Sequence, residues 1–253
     1  MNSKIYVSLT SIPPRQKHLP SIIESLLNNY VLPEKIIINI CKNYDRYPNQ
    51  TFDLRLLEKY KDNELIKINL LDNDDGPITK VFGYLDELLK LEDLDNKYIL
   101  TADDDLLYKP NFIEAFINKN KLDSDCIFTG YTENRGNKFN ICFGADGILI
   151  KLNYLHKIKE YANFLINTEI KFKYHDDFIL SSYFYLNNIK TDRVGNVSRY
   201  NSEESKYSMN DEYSLTNYEL GCNRGGKTYR DNILKQFFFQ HKDNGDLDKY
   251  LIN

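Results

Sequence analysis

The stretch Tyr98-Ile99-Leu100-Thr101-Ala102-Asp103-Asp104-Asp105-Leu106-Leu107-Tyr108 runs from a short apolar segment straight into three consecutive aspartates. An apolar run of that length, cut off by charge, reads as a buried β-strand. In an extended chain successive side chains point to opposite faces, which puts Asp103 and Asp105 on one side and Asp104 on the other. Two like charges about 4 Å apart repel by roughly 1 to 4 kcal/mol as the dielectric falls from that of water to that of a protein surface, so the pair needs a proton or a cation. A hard divalent ion with oxygen ligands, Mg²⁺ or Mn²⁺, meets that need. A solvated acidic loop is the plain alternative. The triplet's place favours the ion, because open α/β sheets bind ligands beyond the carboxyl ends of their strands.

The chain before the triplet alternates strand and helix. Ile5–Thr10, Lys35–Cys41 and Leu65–Leu71 read as extended, and His18–Asn29 and Phe52–Lys61 as helical. This is the β-α-β-α-β rhythm of a parallel sheet. Asp74-Asp75-Gly76-Pro77 makes a turn, and a helix through Lys80, Val81, Phe82, Leu85, Leu88 and Leu89 leads to the fourth strand. After the triplet, Pro110 suits the first position of a helix through Phe112, Ile113 and Phe116. Cys126–Gly130 reads as a strand. Phe139–Phe143 and Ile148–Lys151 flank Gly144-Ala145-Asp146-Gly147 as the two arms of a hairpin. Helices over 153–165 and 177–187, a strand over 190–194, a long aperiodic loop over 198–217 and an aromatic-rich helix over 231–241 complete the chain. The expectation is one α/β domain over 1–253, with a mostly parallel, Rossmann-like central sheet flanked by helices. About 1–108 form a nucleotide-binding half, and about 109–253 an acceptor half with a C-terminal lid and helix.

Composition excludes several classes of function. A net charge of −4 over 253 residues leaves no basic footprint for nucleic acid or an anionic membrane. No apolar run approaches the roughly 18 residues of a membrane span, and the start of the chain lacks a signal-type apolar region, which points to a cytoplasmic protein. Cys41, Cys126, Cys142 and Cys222 contain no C-x-x-C pair, so a structural zinc site or a redox dithiol is not expected.

The segments Ser8-Leu9-Thr10-Ser11-Ile12-Pro13-Pro14-Arg15, Lys35–Ile40, Asp75-Gly76-Pro77-Ile78-Thr79-Lys80, the Asp103–Asp105 triplet with Tyr108, Gly144-Ala145-Asp146-Gly147 and Asp176-Asp177-Phe178-Ile179-Leu180-Ser181 together resemble a GT-A type glycosyltransferase over roughly Lys4 to Val194. The resemblance implies a D-x-D motif, Asp103 and Asp105, holding Mn²⁺ or Mg²⁺ on the pyrophosphate of a nucleotide sugar. It assigns Thr10, Ser11 and Arg15 to the nucleotide, with Asp75 and Asp104 also on the donor side. Gly144 and Asp146 would lie against the donor sugar, where glycine lets the backbone approach. Of the acidic pair Asp176 and Asp177, the second would take the acceptor's proton, giving an inverting transfer. A C-terminal histidine, His241, would complete the metal shell, although a lone histidine beside aromatic residues also reads as structural. The resemblance fixes neither donor nor acceptor; the expected donor is a nucleotide diphosphate sugar, UDP-linked, and the expected acceptor a hydroxyl on a glycan, lipid or protein.

Several residues read the same way without the resemblance. Lys80, near a helix start, is a candidate cation for the leaving diphosphate, or an ordinary solvated lysine. Arg15, just past a strand end, suits phosphate or ribose. Asp176 and Asp177 also read as helix-start acids stabilised by the dipole. Gly221-Cys222-Asn223-Arg224-Gly225-Gly226-Lys227-Thr228 matches the phosphate-loop pattern but lacks the preceding buried strand, so a P-loop NTPase is a weaker reading than a basic lid carrying Arg224, Lys227 or Arg230. A GT-A module that binds nucleotide sugar or glycan without turnover is the other alternative. EF-hand loops fail at the ligand positions or at the sixth-position glycine.

Overall fold

Four apolar runs become adjacent parallel strands in the computed structural model, which describes residues 3–133, 139–195 and 234–252. They are β1 (Lys4–Thr10), β2 (Lys35–Cys41), β3 (Ile66–Leu71) and β4 (Lys97–Thr101). β1 sits between β2 and β4, with Val7 opposite Ile36 on one side and Leu100 on the other. The sheet continues through β8 (Ile148–Lys151), β5 (Ile127–Thr129) and β9 (Thr191–Arg193), in the order β3-β2-β1-β4-β8-β5-β9. β8 runs antiparallel to both its neighbours, and β5 and β9 run parallel to each other. The strand order reverses at β1 and β4, the switch point where open α/β sheets bind ligands.

Alternate residues of the strands feed two cores. Ile36, Ile38 and Leu100 face one side with α1 (Leu19–Leu27) and α4 (Phe112–Asn120). Ile37, Ile99 and Ile150 face the other, beneath α2 (Thr79–Phe82), α3 (Leu85–Leu88), α5 (Ile158–Thr168), α6 (Asp176–Leu186) and α7 (Lys235–Asp243). Each fully buried Ile, Leu or Phe stabilises the fold by roughly 1.5–3 kcal/mol, which is why strands covered on both faces read as unbroken apolar runs. Cys41, Cys126 and Cys142 are free, buried thiols. Among the described residues no helix is long and apolar enough to cross a membrane.

Several elements differ from the sequence expectation. The expected helix from Lys80 to Leu89 is two short helices broken at Gly83, whose carbonyl is drawn down onto Asn69. Residues Leu54–Tyr60 form a 3₁₀ run rather than an α-helix. Pro110 precedes the helix it was expected to begin, which starts at Phe112. Residues 139–143 and 148–151 are not hairpin arms. β7 (Ile141–Cys142) pairs with β6 (Thr132–Glu133) in a separate ribbon, while β8 inserts into the main sheet. Gly144–Asp146 is a 3₁₀ turn between the two sheets, closed by Gly147 at φ +86°. The aperiodic stretch over 198–217 and the basic glycine-rich stretch over 221–230, with Arg224, Lys227 and Arg230, lie outside the described residues.

Candidate active site

The cleft opens at the carboxyl ends of β1 to β4. β4 ends at Thr101, so Asp103, Asp104 and Asp105 sit in the following turn rather than in extended chain. This corrects the alternation expected for them, because once the pleat ends nothing forces Asp104 to the opposite face. All three carboxylates line the cleft. Ser11 donates to Asp104 Oδ2 at 2.7 Å, and Arg15 Nη1 lies 3.1 Å from Asp104 Oδ1 and 3.1 Å from Asp105 Oδ2. Arg15 is delivered there by the 3₁₀ turn Pro13–His18 that follows β1. The Asp103 N–H donates to the hydroxyl of buried Tyr108 at 2.6 Å. Burial, with the Asp103 carboxylate close by, holds that phenol well above its ordinary range.

Lys80 joins the strand ends to the start of α6. Its Nζ donates to Asp103 Oδ1 at 2.5 Å and lies 3.0 Å from Asp176 Oδ2, an ion pair outside hydrogen-bond alignment. Burial opposes its charge, but Asp103, Asp176 and Asp177 outweigh burial and hold its pKa well above the usual lysine value. Asp176 and Asp177 open α6, and Asp177 Oδ1 accepts the Gly144 N–H at 2.7 Å. Ser181, one turn on, donates to the Asp177 carbonyl and accepts from the Cys142 N–H, tying α6 to β7. Thr101 accepts from the Ile148 N–H at 2.8 Å and donates to the Gly144 carbonyl at 3.3 Å, which fixes the glycine over the end of β4. A Cβ on Gly144 would stand 3.0 Å from Lys80 Nζ, so the absence of a side chain there leaves room for the ion pair.

Thr10 also lines the cleft, with its hydroxyl on the Asn39 carbonyl at 3.0 Å. Three residues singled out from the sequence stand elsewhere. Asp75 is exposed and does not line the cleft, and its backbone N–H donates to Thr79 Oγ1 at 3.1 Å. Asp146 is buried against Gly130. His241, on α7, pairs with Asp246 at 2.7 Å and packs edge-on to Phe164 of α5, and it is not among the cleft-lining residues.

Asp74 and Arg46 line the cleft and were not singled out. Asp74 Oδ1 accepts the Gly76 N–H at 2.8 Å, and burial pushes its carboxyl above the ordinary range. Arg46 lies over the Tyr47 ring at 5.2 Å. Their signal was position, since each follows the carboxyl end of a parallel strand, β3 for Asp74 and β2 for Arg46.

Charge defines what this cleft can hold. Among the described residues that line it, six carboxylates, Asp74, Asp103, Asp104, Asp105, Asp176 and Asp177, face three cations, Arg15, Arg46 and Lys80. Burial and then the neighbouring Asp103 push the Asp105 carboxyl up to about 7. Among the described residues no three His, Cys, Asp or Glu side chains are arranged as a ready metal cage. Asp103 and Asp105 are the pair whose crowding a hard dication would relieve, with its remaining positions left to water or phosphate.

Neither protein-family models nor curated proteins match the sequence. Solved structures do match in fold. A fragment of S. aureus TarS, residues 1–349, superposes with a TM-score of 0.53 over 90% of this chain and 73% of that one, at 13% identity. The longer TarS structure gives 0.54 over 78% of this chain, at 12% identity, and here the chain spans about a third of its length, 36%. The TarS 1–349 complex with UDP-GlcNAc matches more loosely, at 0.44 over 62% of this chain and 48% of that one, with 12% identity. At such identities the likeness is one of architecture: the chain has the α/β, mostly parallel, GT-A type fold that it shares with TarS.

Proposed function

We propose that the chain is a metal-dependent glycosyltransferase that moves a sugar from a nucleoside diphosphate donor, UDP-linked, to an acceptor hydroxyl with inversion. The observation that carries this reading is the convergence of Asp103–Asp105, Lys80 and Asp177 in one cleft beyond the strand ends. A diphosphate entering this cleft, whose described lining carries six carboxylates and three cations, meets net repulsion from those residues unless a divalent cation accompanies it. Asp103 and Asp105 would hold that cation. Bound there, it would neutralise the charge that develops on the departing diphosphate.

The chain's own groups supply the rest. Lys80 is a buried ammonium whose charge the neighbouring Asp103, Asp176 and Asp177 favour, suited to steady the leaving phosphate. Thr10, Ser11 and Arg15 border the end where base and ribose would lie. Asp177, oriented by the Gly144 N–H, would accept the acceptor's proton as the hydroxyl attacks the anomeric carbon from the face opposite the leaving group. One bond forms to the acceptor oxygen, one breaks to the diphosphate, and the proton passes to the carboxylate. UDP is named because the TarS fragment of like fold has been solved with UDP-GlcNAc and with UDP.

Incubation with Mn²⁺ and a panel of nucleotide sugars, read as release of nucleoside diphosphate, tests the reading. Slow, Mn²⁺-dependent hydrolysis of one donor supports it. Tight binding with no release, with or without candidate acceptors, would make the chain a binding module instead.

A further inference from the structure

Asn39 on β2 and Asn69 on β3 stand directly opposite each other in the sheet. Asn39 is fully buried, in a strand otherwise made of isoleucines and a cysteine between Ile36 and Cys41. A buried amide is costly unless its hydrogen bonds are made, and these are. Asn39 Nδ2 donates to Ser8 Oγ at 3.0 Å and to the Leu9 carbonyl at 3.1 Å on β1, and its Oδ1 accepts from Asn69 Nδ2 at 2.9 Å. Asn69 Nδ2 also donates to the Gly83 carbonyl at 2.8 Å. The pair thus links three strands to the residue that ends α2.

The closeness at that junction is specific. A Cβ on Gly83 would stand 2.3 Å from Asn39 Oδ1, so only glycine lets the helix end settle onto the amides. α2 is four residues long, with no side-chain cap at its start. So short a helix takes its position from what it is tied to. Lys80 is its second residue and must bring Nζ to both Asp103 and Asp176. A misplacement of about 1 Å at such a group can lower a rate roughly 10²-fold.

We propose that Asn39 and Asn69 are positioning residues for Lys80, holding α2 so that the ammonium sits between the strand-end carboxylates and the start of α6. The consequence for nucleotide binding rests on the role given to Lys80 above, but the positioning itself does not. It is tested with Asn69→Ala, because Asn69 is only partly buried and water can replace its hydrogen bonds.

The first measurement is acetylation of the unliganded protein by a lysine-directed reagent, read peptide by peptide in the mass spectrometer. Labelling of Lys80 should rise at least severalfold in Asn69→Ala, while Lys151, held by Asp125 at 2.9 Å, should stay unchanged. Unchanged Lys80 labelling, or an equal rise at both lysines, overturns the proposal. The second is a double-mutant cycle on UDP affinity in Mn²⁺. Asn69→Ala should weaken binding about tenfold in the wild-type background and less than about twofold in Lys80→Met, since residues acting through one another are non-additive. An equal loss in both backgrounds makes Asn69 merely structural and overturns the proposal as well. If the wild type binds no UDP, the functional reading fails and the labelling result alone decides the positioning role.

Discussion

The Gly144 N–H donates to Asp177 Oδ1 at 2.7 Å, so a backbone amide from the turn before β8 orients a carboxylate at the first turn of α6. An amide in place of that carboxylate can still accept the same hydrogen bond. Asp177→Asn should therefore fold normally, keep UDP–Mn²⁺ affinity and lose transfer by about 10²-fold or more. Asp176→Asn should instead weaken nucleotide binding, because it removes one partner of Lys80. Full transfer by Asp177→Asn, or a product that keeps the donor's anomeric configuration, would remove Asp177 as the base.

Gly144→Ala asks how closely the ion pairs are packed. The added methyl would lie 3.0 Å from Lys80 Nζ, 3.3 Å from Asp177 Oδ1 and 3.4 Å from Asp176 Oδ2. These are side-chain ends that can shift, so stability should change by under about 1 kcal/mol while kcat/KM falls about tenfold. Thermal unfolding and steady-state kinetics on the same samples separate the two effects.

Lys80→Met leaves Asp103 and Asp176 facing each other without their cation. Breaking a buried ion pair from one side typically costs about 3–5 kcal/mol, visible as a lower urea midpoint at unchanged slope. Mn²⁺ should recover part of that loss, more than it adds to the wild type. A midpoint within experimental error of the wild type would mean that Lys80 is not the cation that balances these carboxylates.

Asp105 ties stability to pH. Its carboxyl is raised from 3.8 to about 7 by burial and by Asp103. Between those values the folded protein holds a proton that the unfolded chain has released. The contribution is therefore full below about pH 4, declines as pH rises through the window and is gone above about pH 7. A shift of about three units corresponds to at most about 4 kcal/mol. Unfolding measured from pH 5 to 8 without metal should show this decline, and Asp105→Asn should flatten it. Mn²⁺ should stabilise the wild type more at pH 8 than at pH 5, since metal and proton compete for one carboxylate.

What the sequence made legible follows from how local each cause is. β1 to β4 were readable because strands covered on both faces are continuous apolar runs, and the edge at which the cleft opens followed from their parallel order. The break at Gly83 was not readable, because it depends on the amides of Asn69, which holds the Gly83 carbonyl, and Asn39, 44 positions earlier, which leaves no room for a side chain there. β7 and β8 looked like a hairpin because adjacent runs usually pair, but their partners, β6 for one and β4 and β5 for the other, were chosen by the sheet. In the site, the sequence placed Arg15 and Asp103–Asp105 beside the cleft at the ends of β1 and β4, but showed neither Arg46 past β2 nor the choice of Asp74 over its neighbour Asp75. That choice depends on the turn in which Asp74 captures the Gly76 N–H, which rotates one carboxylate inward and leaves the other in solvent.

β8 runs against the grain of the sheet, and this governs how the molecule can be divided. Its backbone pairs with β4 on one side and β5 on the other, so the front and back portions of the chain are joined by a zipper of main-chain bonds. A front portion made alone would leave Tyr98, Ile99 and Leu100 on an unprotected outer strand, the kind of surface that recruits other chains into aggregates. Because β8 is reversed, it is its beginning that meets the cleft, and it brings Gly144 to the end of β4 through Thr101. Closing the sheet and completing the cleft are thus one assembly step, and two separately produced fragments should show neither until they recombine.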